Sequence, residues 1–477
     1  MSYPRSTVEV DGTTYFLVRD AGGKRLGIRG DARGFEGEVQ ANGLFTGPIS
    51  PANAAALRER LPWLRPEPLG LKMSAGCGDR LGLATPGHIR AVRAAGGIAL
   101  IPAQQSMREN ARTGRTPQQV LDDAMWGVFQ EGWREPWGAD ADHLKTIADI
   151  DLCVAAGYTF FTIDPGDHVD AEVPSPASRA PGGQDSDLIE RKLELLPWRD
   201  LEDDPARLRA RYLGRQFEIE GFILELEPGT LVRAAVKYGS AIAHTVRMYR
   251  HLAASMGSRS FELEVSVDET ETPTTAEEHL FIATELARLG VAWVSLAPRY
   301  VGRFEKGVDY IGDLGEFRAE LAKHAAIARV LGPYKLSLHS GSDKFSIYPL
   351  VAREARELVH LKTAGTSYLE ALRAIAGVNP ALFRQILSFA RGCYERDRAT
   401  YHVSGELARV PAPESLADDE LARVLDLFDG RQALHVTFGS VLERFGTQLL
   451  AELATHEEAY YAALEVHFAR HLAPFTD

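Results

Sequence analysis

The sequence predicts an α/β chain folded as a (β/α)8 TIM barrel, with an N-terminal extension and a helical C-terminal region. Three observations lead there. Eight short segments rich in β-branched and apolar residues recur between residues 69 and 365. Helix-length segments that close on glycine separate most of them. No G-x-G-x-x-G follows a strand, and the nearest match, GCGDRLG at 76–82, has the wrong spacing for a doubly wound sheet.

Residues 1–65 read as a lead-in of short strand-like pieces such as TTYFLV, followed by a helix from Pro51. The barrel is assigned to 66–370. Its strands are expected at LGLKMSAG (69–76), GIALIPAQ (97–104), WGADADHL (137–144) and TFFTIDPGD (159–167). The other four are FELEVSVDE (261–269), AWVSLAPRY (292–300), KLSLHSG (335–341) and LVHLKTAG (358–365). Segments such as TTAEEHLFIATELARLG and LGEFRAELAKHAAIARVLG end in a glycine placed as a C-cap. The stretch 170–230 is longer than one barrel helix needs and is expected to be an insertion or a lid. Residues 371–477 read as mostly helical and packed on the barrel.

With 45% hydrophobic and 25% charged residues, the 477-residue chain has the composition of a folded globular protein. Its net charge of −13 repels a phosphate backbone and no Lys/Arg block offsets it, so no nucleic-acid partner is expected. Cys77, Cys153 and Cys393 have no metal-type spacing and suit a reducing compartment. The first residues lack the apolar core of a secretory signal, and no apolar run approaches the ~18 residues of a membrane span. The expectation is a cytoplasmic protein without a membrane partner; a homo-oligomer is left open.

Alternation along the strands separates two faces. Phe261, Leu263, Val265 and Val267 share one side of their strand, while Glu262, Glu264, Ser266 and Asp268 share the other. The same split sets Lys335, Ser337 and His339 against Leu336 and Leu338, and groups Lys72 with Ser74, Ser295 with Arg299, and His360 with Lys362. Barrel interiors are normally filled with branched apolar residues. Five strands offering polar groups on the inner face therefore point to one site at the C-terminal mouth. For Glu264 the structural alternative is a salt bridge to a barrel lysine such as Lys72.

Several blocks carry a resemblance. GDRLGLATPGHIRA (78–91), AQQSMRENARTGRTP (103–117), GADADHLK (138–145), FTIDPGDHV (161–169), EVSVDETETPT (264–274), SLHSGSDKFS (337–346) and KTAGTSYLEA (362–371) together resemble the tagaturonate epimerase family. The similarity runs from about residue 70 to the C-terminus. It implies interconversion of D-tagaturonate and D-fructuronate, with a keto-hexuronate as the small-molecule partner and a divalent metal cation as cofactor. Carried over residue by residue, Asp142 is the proton acceptor, Glu264 the proton donor, and His143 and His339 are metal ligands.

The inverted carbon is β to the ketone, so the carbonyl does not activate its hydrogen. A retro-aldol step fits better: a base takes the hydroxyl proton, the neighbouring C–C bond breaks, and the aldehyde re-adds from its other face. Imidazole and carboxylate ligands suit Mn, Fe, Co, Ni or Zn. No Schiff-base lysine is needed, and Lys362 is kept as a substrate-contacting candidate. Arg299, Lys306 and Lys344 are candidates for the substrate carboxylate, and Gln104 and Gln105 for sugar hydroxyls.

Asp142 and His143 are adjacent, so both can face the site only if their strand has ended there. Asp164, Asp167 and His168 form a rival metal cluster in DPGDH, or simply a turn. Two other functions compete: a metal-dependent ketose phosphate aldolase binding phosphate at SGSDK, and a non-catalytic sugar-acid sensor. No dinucleotide fingerprint supports a redox epimerase.

Overall fold

The computed structural model describes residues 2–20, 23–173 and 184–476. All eight expected strands form, and they close into a parallel barrel in chain order. They are β1 (Ser74–Gly76), β2 (Ala99–Ser106), β3 (Trp137–Leu144), β4 (Phe160–Ile163), β5 (Glu262–Ser266), β6 (Ser295–Ala297), β7 (Lys335–Leu338) and β8 (Val359–Lys362). β8 pairs with β1 through His360 opposite Ser74, which completes the ring.

The outer layer includes α1 (Thr85–Ala95), α2 (Pro117–Glu131), α3 (Ile147–Ala156), α4 (Pro228–Met256), α5 (Ala276–Arg288), α6 (Leu314–Leu331), α7 (Tyr348–Ala355) and α8 (Thr366–Val378). Capping boxes start three of them: Thr116 with Gln119, Thr146 with Asp149, and Thr275 with Glu278. α8 runs to Val378, so the barrel's last helix extends past residue 370.

The lead-in is a five-stranded antiparallel sheet followed by a helix at Pro51–Arg60, whose N-cap Ser50 accepts from the Asn53 amide. Arg58 ties that helix to Asp122 of α2 at 2.6 Å. Part of the 170–230 stretch, 174–183, lies outside the described residues. The rest forms two helices, Gln184–Glu194 and Pro205–Tyr212, and a hairpin at 216–225. These lie against the outer helices: Tyr212 Oη donates to Glu285 of α5 at 2.7 Å, and Glu220 pairs with Arg329 of α6 at 2.6 Å.

At the C-terminus, helix Glu457–Leu472 lies along α1 and α8. Its approach to α1 is close enough that a Cβ on Gly87 would sit 2.8 Å from Leu464. The three cysteines are buried free thiols. Among the described residues no helix is long and apolar enough to cross a membrane.

Candidate active site

The faces follow the alternation. Leu263, Val265, Leu336 and Leu338 are buried in the apolar core, while the inner face of the barrel holds charge. At its centre is Lys362 of β8, fully buried, with Nζ 2.9 Å from each of the carboxylates of Asp140, Asp142 and Glu264. It also donates to Thr162 Oγ1 at 2.7 Å. Burial works against the ammonium, but the carboxylates outweigh it and hold Lys362 above its ordinary range. Burial likewise works against ionised Asp142 and Glu264, but Lys362 and the neighbouring histidines together override it, so both stay well below the usual carboxylate range.

Neighbouring strands fix these carboxylates. Ser295 Oγ of β6 donates to Glu264 Oε2 at 2.6 Å, and Gln104 Nε2 of β2 donates to Asp142 Oδ2 at 2.8 Å. The cation opposite Glu264 is thus Lys362. Lys72 is exposed and precedes β1, so its side chain does not enter the barrel.

Asp142 and His143 both reach the site, but not because the strand has ended. β3 continues to Leu144, and its register against β4 shifts between Ala141 and Leu144. His143 sits in the bulge with φ +52°, a left-handed conformation that few non-glycine residues adopt. The bulge overrides the alternation and brings the His143 ring to 4.2 Å from that of His339.

His339 stands between the two carboxylates: Nε2 is 3.0 Å from Asp142 Oδ1, and Nδ1 is 3.2 Å from Glu264 Oε1. Neither contact has hydrogen-bond geometry, so both ring nitrogens and Glu264 Oε1 are buried without a hydrogen-bond partner among the described residues. Burial and Lys362 oppose protonation of His339, yet Asp268 and Asp142 outweigh them and hold it well above its usual range. Asp142, His143 and His339 present ligand atoms close enough together to hold a metal ion, as do His143, Asp164 and Glu269. This donor set, with carboxylate oxygens beside the unpartnered ring nitrogens of His339, fits a divalent cation.

The rival DPGDH cluster does not assemble. Asp167 pairs with Lys145 at 2.8 Å, and His168 stacks on His244 with ring centroids 4.1 Å apart. Asp164 instead turns to His143, its Oδ2 3.0 Å from Nδ1, while its Oδ1 accepts from the Gly166 amide at 2.8 Å. Burial raises the Asp164 carboxyl, but the bond and charge of His143 lower it further, so the group is an ionised acceptor. The His143 Nδ1 therefore carries the proton, and Nε2, 3.9 Å from Glu269, is left for the site.

A cavity of about 310 Å³ opens at the barrel mouth, within the range of small-molecule sites. Arg299, Lys306, Glu269, His339, Tyr401 and His402 are among its lining residues. Lys306 Nζ donates to Ser340 Oγ at 2.9 Å, and Arg299 Nη1 donates to the Tyr300 carbonyl at 2.7 Å.

Two other candidates lie elsewhere. Lys344 lies in the loop after β7 but is buried, its ammonium donating to the carbonyls of Glu305, Val308 and Ser342. Gln105 faces Thr113 and Arg115. Sequence reasoning passed over Asp140, although it shares a strand face with Asp142 two residues on. Tyr401 and His402, from the C-terminal region, fall in the YHVS block (401–404) that shares the family resemblance, but no strand pattern places them at the mouth.

Comparison with known proteins agrees along the whole chain. A family model described as tagaturonate epimerase matches residues 3–475. A Thermotoga maritima tagaturonate/fructuronate epimerase is 42% identical over 478 residues, covering 98% of this chain and 96% of that protein. The native crystal structure of a fructuronate-tagaturonate epimerase from Cohnella laeviribosi superposes with a TM-score of 0.93 at 38% identity, covering 100% of this chain and 96% of the other. A glycerol complex of the Cohnella protein gives the same TM-score and identity over 99% of this chain and 96% of that one. With a match of this extent and identity, the chain belongs to the tagaturonate epimerase family.

Proposed function

We propose that this chain epimerises D-tagaturonate and D-fructuronate at the carbon β to the ketone, by a metal-assisted retro-aldol and aldol sequence. Family membership supports the epimerase reading over an aldolase or a sensor. The observation that carries it is the pair of ionised carboxylates, Asp142 and Glu264, flanking His339 at the mouth of the barrel. They are two proton-handling groups on different sides of one site.

Asp142 takes the hydroxyl proton from the inverting carbon as the bond to the adjacent carbon breaks. The bonding pair passes into an enediolate, and the carbon that carried the hydroxyl becomes an aldehyde. When the aldehyde has turned its other face, the enediolate carbon re-forms the bond. The proton held by Asp142 is handed across to Glu264, which gives it to the new alkoxide, so protons and electrons balance. Lys362 positions both carboxylates from below, and Gln104 holds the second oxygen of Asp142. Lys306 and Arg299 supply positive charge on the cavity wall.

His143 through Nε2 and His339 would hold the divalent cation. When bound it would supply Lewis-acid stabilisation of developing oxyanion charge. The test is incubation of metal-loaded protein with D-tagaturonate followed by product identification. Isomers are expected; accumulating fragments would indicate an aldolase, and unchanged substrate would overturn the proposal.

Elemental analysis of the purified chain is expected to find about one divalent transition metal per chain, with activity lost to a chelator. His143→Ala and His339→Ala should each reduce metal content. Full turnover by a preparation shown to be metal-free would remove the metal from the scheme.

Asp164→Asn keeps the side chain's shape but weakens the acceptor that fixes the His143 ring and its tautomer. Metal affinity, read by competition with a chromogenic chelator, should fall about 10–100-fold with the fold retained. Unchanged affinity would mean that His143 is oriented by the bulge alone.

A further inference from the structure

α8 begins where β8 ends, at the mouth of the barrel, and its N-cap is Gly365, three residues beyond Lys362. With φ +89° and no side chain, Gly365 gives the first-turn amides of this 13-residue helix no capping oxygen. The positive end of the helix dipole is left uncapped there.

Two buried side chains converge on the same point. A Cβ on Gly365 would lie 2.5 Å from His435 Nε2 and 2.6 Å from Arg80 Nη2. His435 is 1% exposed, and neither ring nitrogen has a hydrogen-bond partner among the described residues. Arg80 is 5% exposed; Nε and Nη2 are held by Glu109 at 2.9 and 2.7 Å, while Nη1 has no partner among the described residues. Its guanidinium lies 3.7 Å over the Phe438 ring, which fixes its plane. Orphaned polar atoms in a buried setting are costly, and three of them beside a helix N-terminus mark a place built for a ligand.

The ligand's charge follows from its surroundings. Arg80, Lys306 and the helix terminus are positive, and burial followed by Arg80 and Lys306 holds His435 well below its usual range. The point also adjoins the cavity. Lys306 and Tyr401 line it; a Cβ on Gly307 would be 3.4 Å from His435, and the Tyr401 ring stands edge-on to the His435 ring at 6.4 Å.

We propose that Arg80, His435 and the N-terminus of α8 form an oxyanion subsite of the mouth, which receives the carboxylate of the substrate. Naming the carboxylate as that of a uronate rests on the epimerase reading; the oxyanion site itself does not. The C-terminal region thereby contributes to specificity through His435, with Arg80 as the charged anchor and Gly365 as the residue whose missing Cβ lets both side chains close on the helix terminus.

The test has two arms. Crystals of the full chain soaked in selenate should show an anomalous peak within hydrogen-bond reach of Arg80, His435 Nε2 and the first amides of α8. Absence of a peak there would overturn the site without any variant having to fold. By calorimetry, D-galactonate should bind the wild-type chain, and His435→Phe and Gly365→Ala should each weaken it about tenfold or more. Binding of neutral galactitol should be the same in all three. Folded variants that bind galactonate as the wild type does would overturn the proposal, and so would tight binding of inorganic phosphate that galactonate fails to displace. Selenate at Gly365 in a chain that leaves D-tagaturonate unchanged would sink the epimerase reading and leave the oxyanion site standing.

Discussion

Lys362→Met is expected to cost about 3–5 kcal/mol of folding stability, a large part of the ~5–15 kcal/mol that holds a domain together. The fully buried ammonium is shared by three carboxylates, each 2.9 Å away. Methionine fills similar volume but leaves Asp140, Asp142 and Glu264 facing one another in a low-dielectric interior.

The pH dependence should also change sign. In the wild type, Asp142 and Glu264 are depressed in the folded state. Their contribution is therefore present above the unfolded carboxyl pKa of ~4 and is lost as pH falls further. Without Lys362, burial and mutual repulsion would raise the folded pKa values above the unfolded ones. The folded variant then binds more protons, and its stability should rise as pH is lowered from 7 towards 5. Urea unfolding midpoints in the presence of a chelator at the two pH values check this. A variant with the wild-type midpoint and no gain at pH 5 would show that the ammonium does not hold the cluster together.

The barrel was legible because its signal is local. Each strand is a short apolar run bounded by turns, and several of the following helices bring their own caps. The polar inner face was legible for the same reason: Glu264, Ser295, Lys335, His360 and Lys362 all point inward as period-two alternation requires. Three things were not legible, each for a physical reason. The bulge at His143 breaks the alternation by a single left-handed residue, and no glycine marks it. The partner of Glu264 lies on a strand ninety-odd residues later, and nothing in a sequence ranks Lys362 above Lys72 until the strand order is known. The blocks YHVS (401–404) and HVTFGSV (435–441) share the family resemblance, yet nothing in them places Tyr401, His402 and His435 near the mouth, because that proximity is set by tertiary docking.

Glu264→Gln and Asp142→Asn are expected to lower turnover by ~10²-fold or more while leaving the metal bound. Each amide keeps the shape of the carboxylate and much of its hydrogen bonding to Ser295 or Gln104, yet can neither accept nor deliver a proton at neutral pH. Metal content should persist because His143 and His339 are untouched. Amide variants that turn over at the wild-type rate would mean that the proton-handling pair lies elsewhere. The same assay, run in deuterium oxide, tests how the carbon inverts. In the cleavage route the hydrogen on the inverting carbon stays attached throughout, becoming the aldehyde hydrogen and returning with it. Only the hydroxyl proton passes through Asp142 and Glu264, and it exchanges with solvent in any case. NMR of the product should therefore show no deuterium at the inverted carbon, and the wild-type chain should condense the two separately supplied fragments at a low rate. Stoichiometric deuterium at that carbon would instead place Asp142 and Glu264 on opposite sides of a C–H bond, and the retro-aldol scheme would fall while the epimerase reading stood.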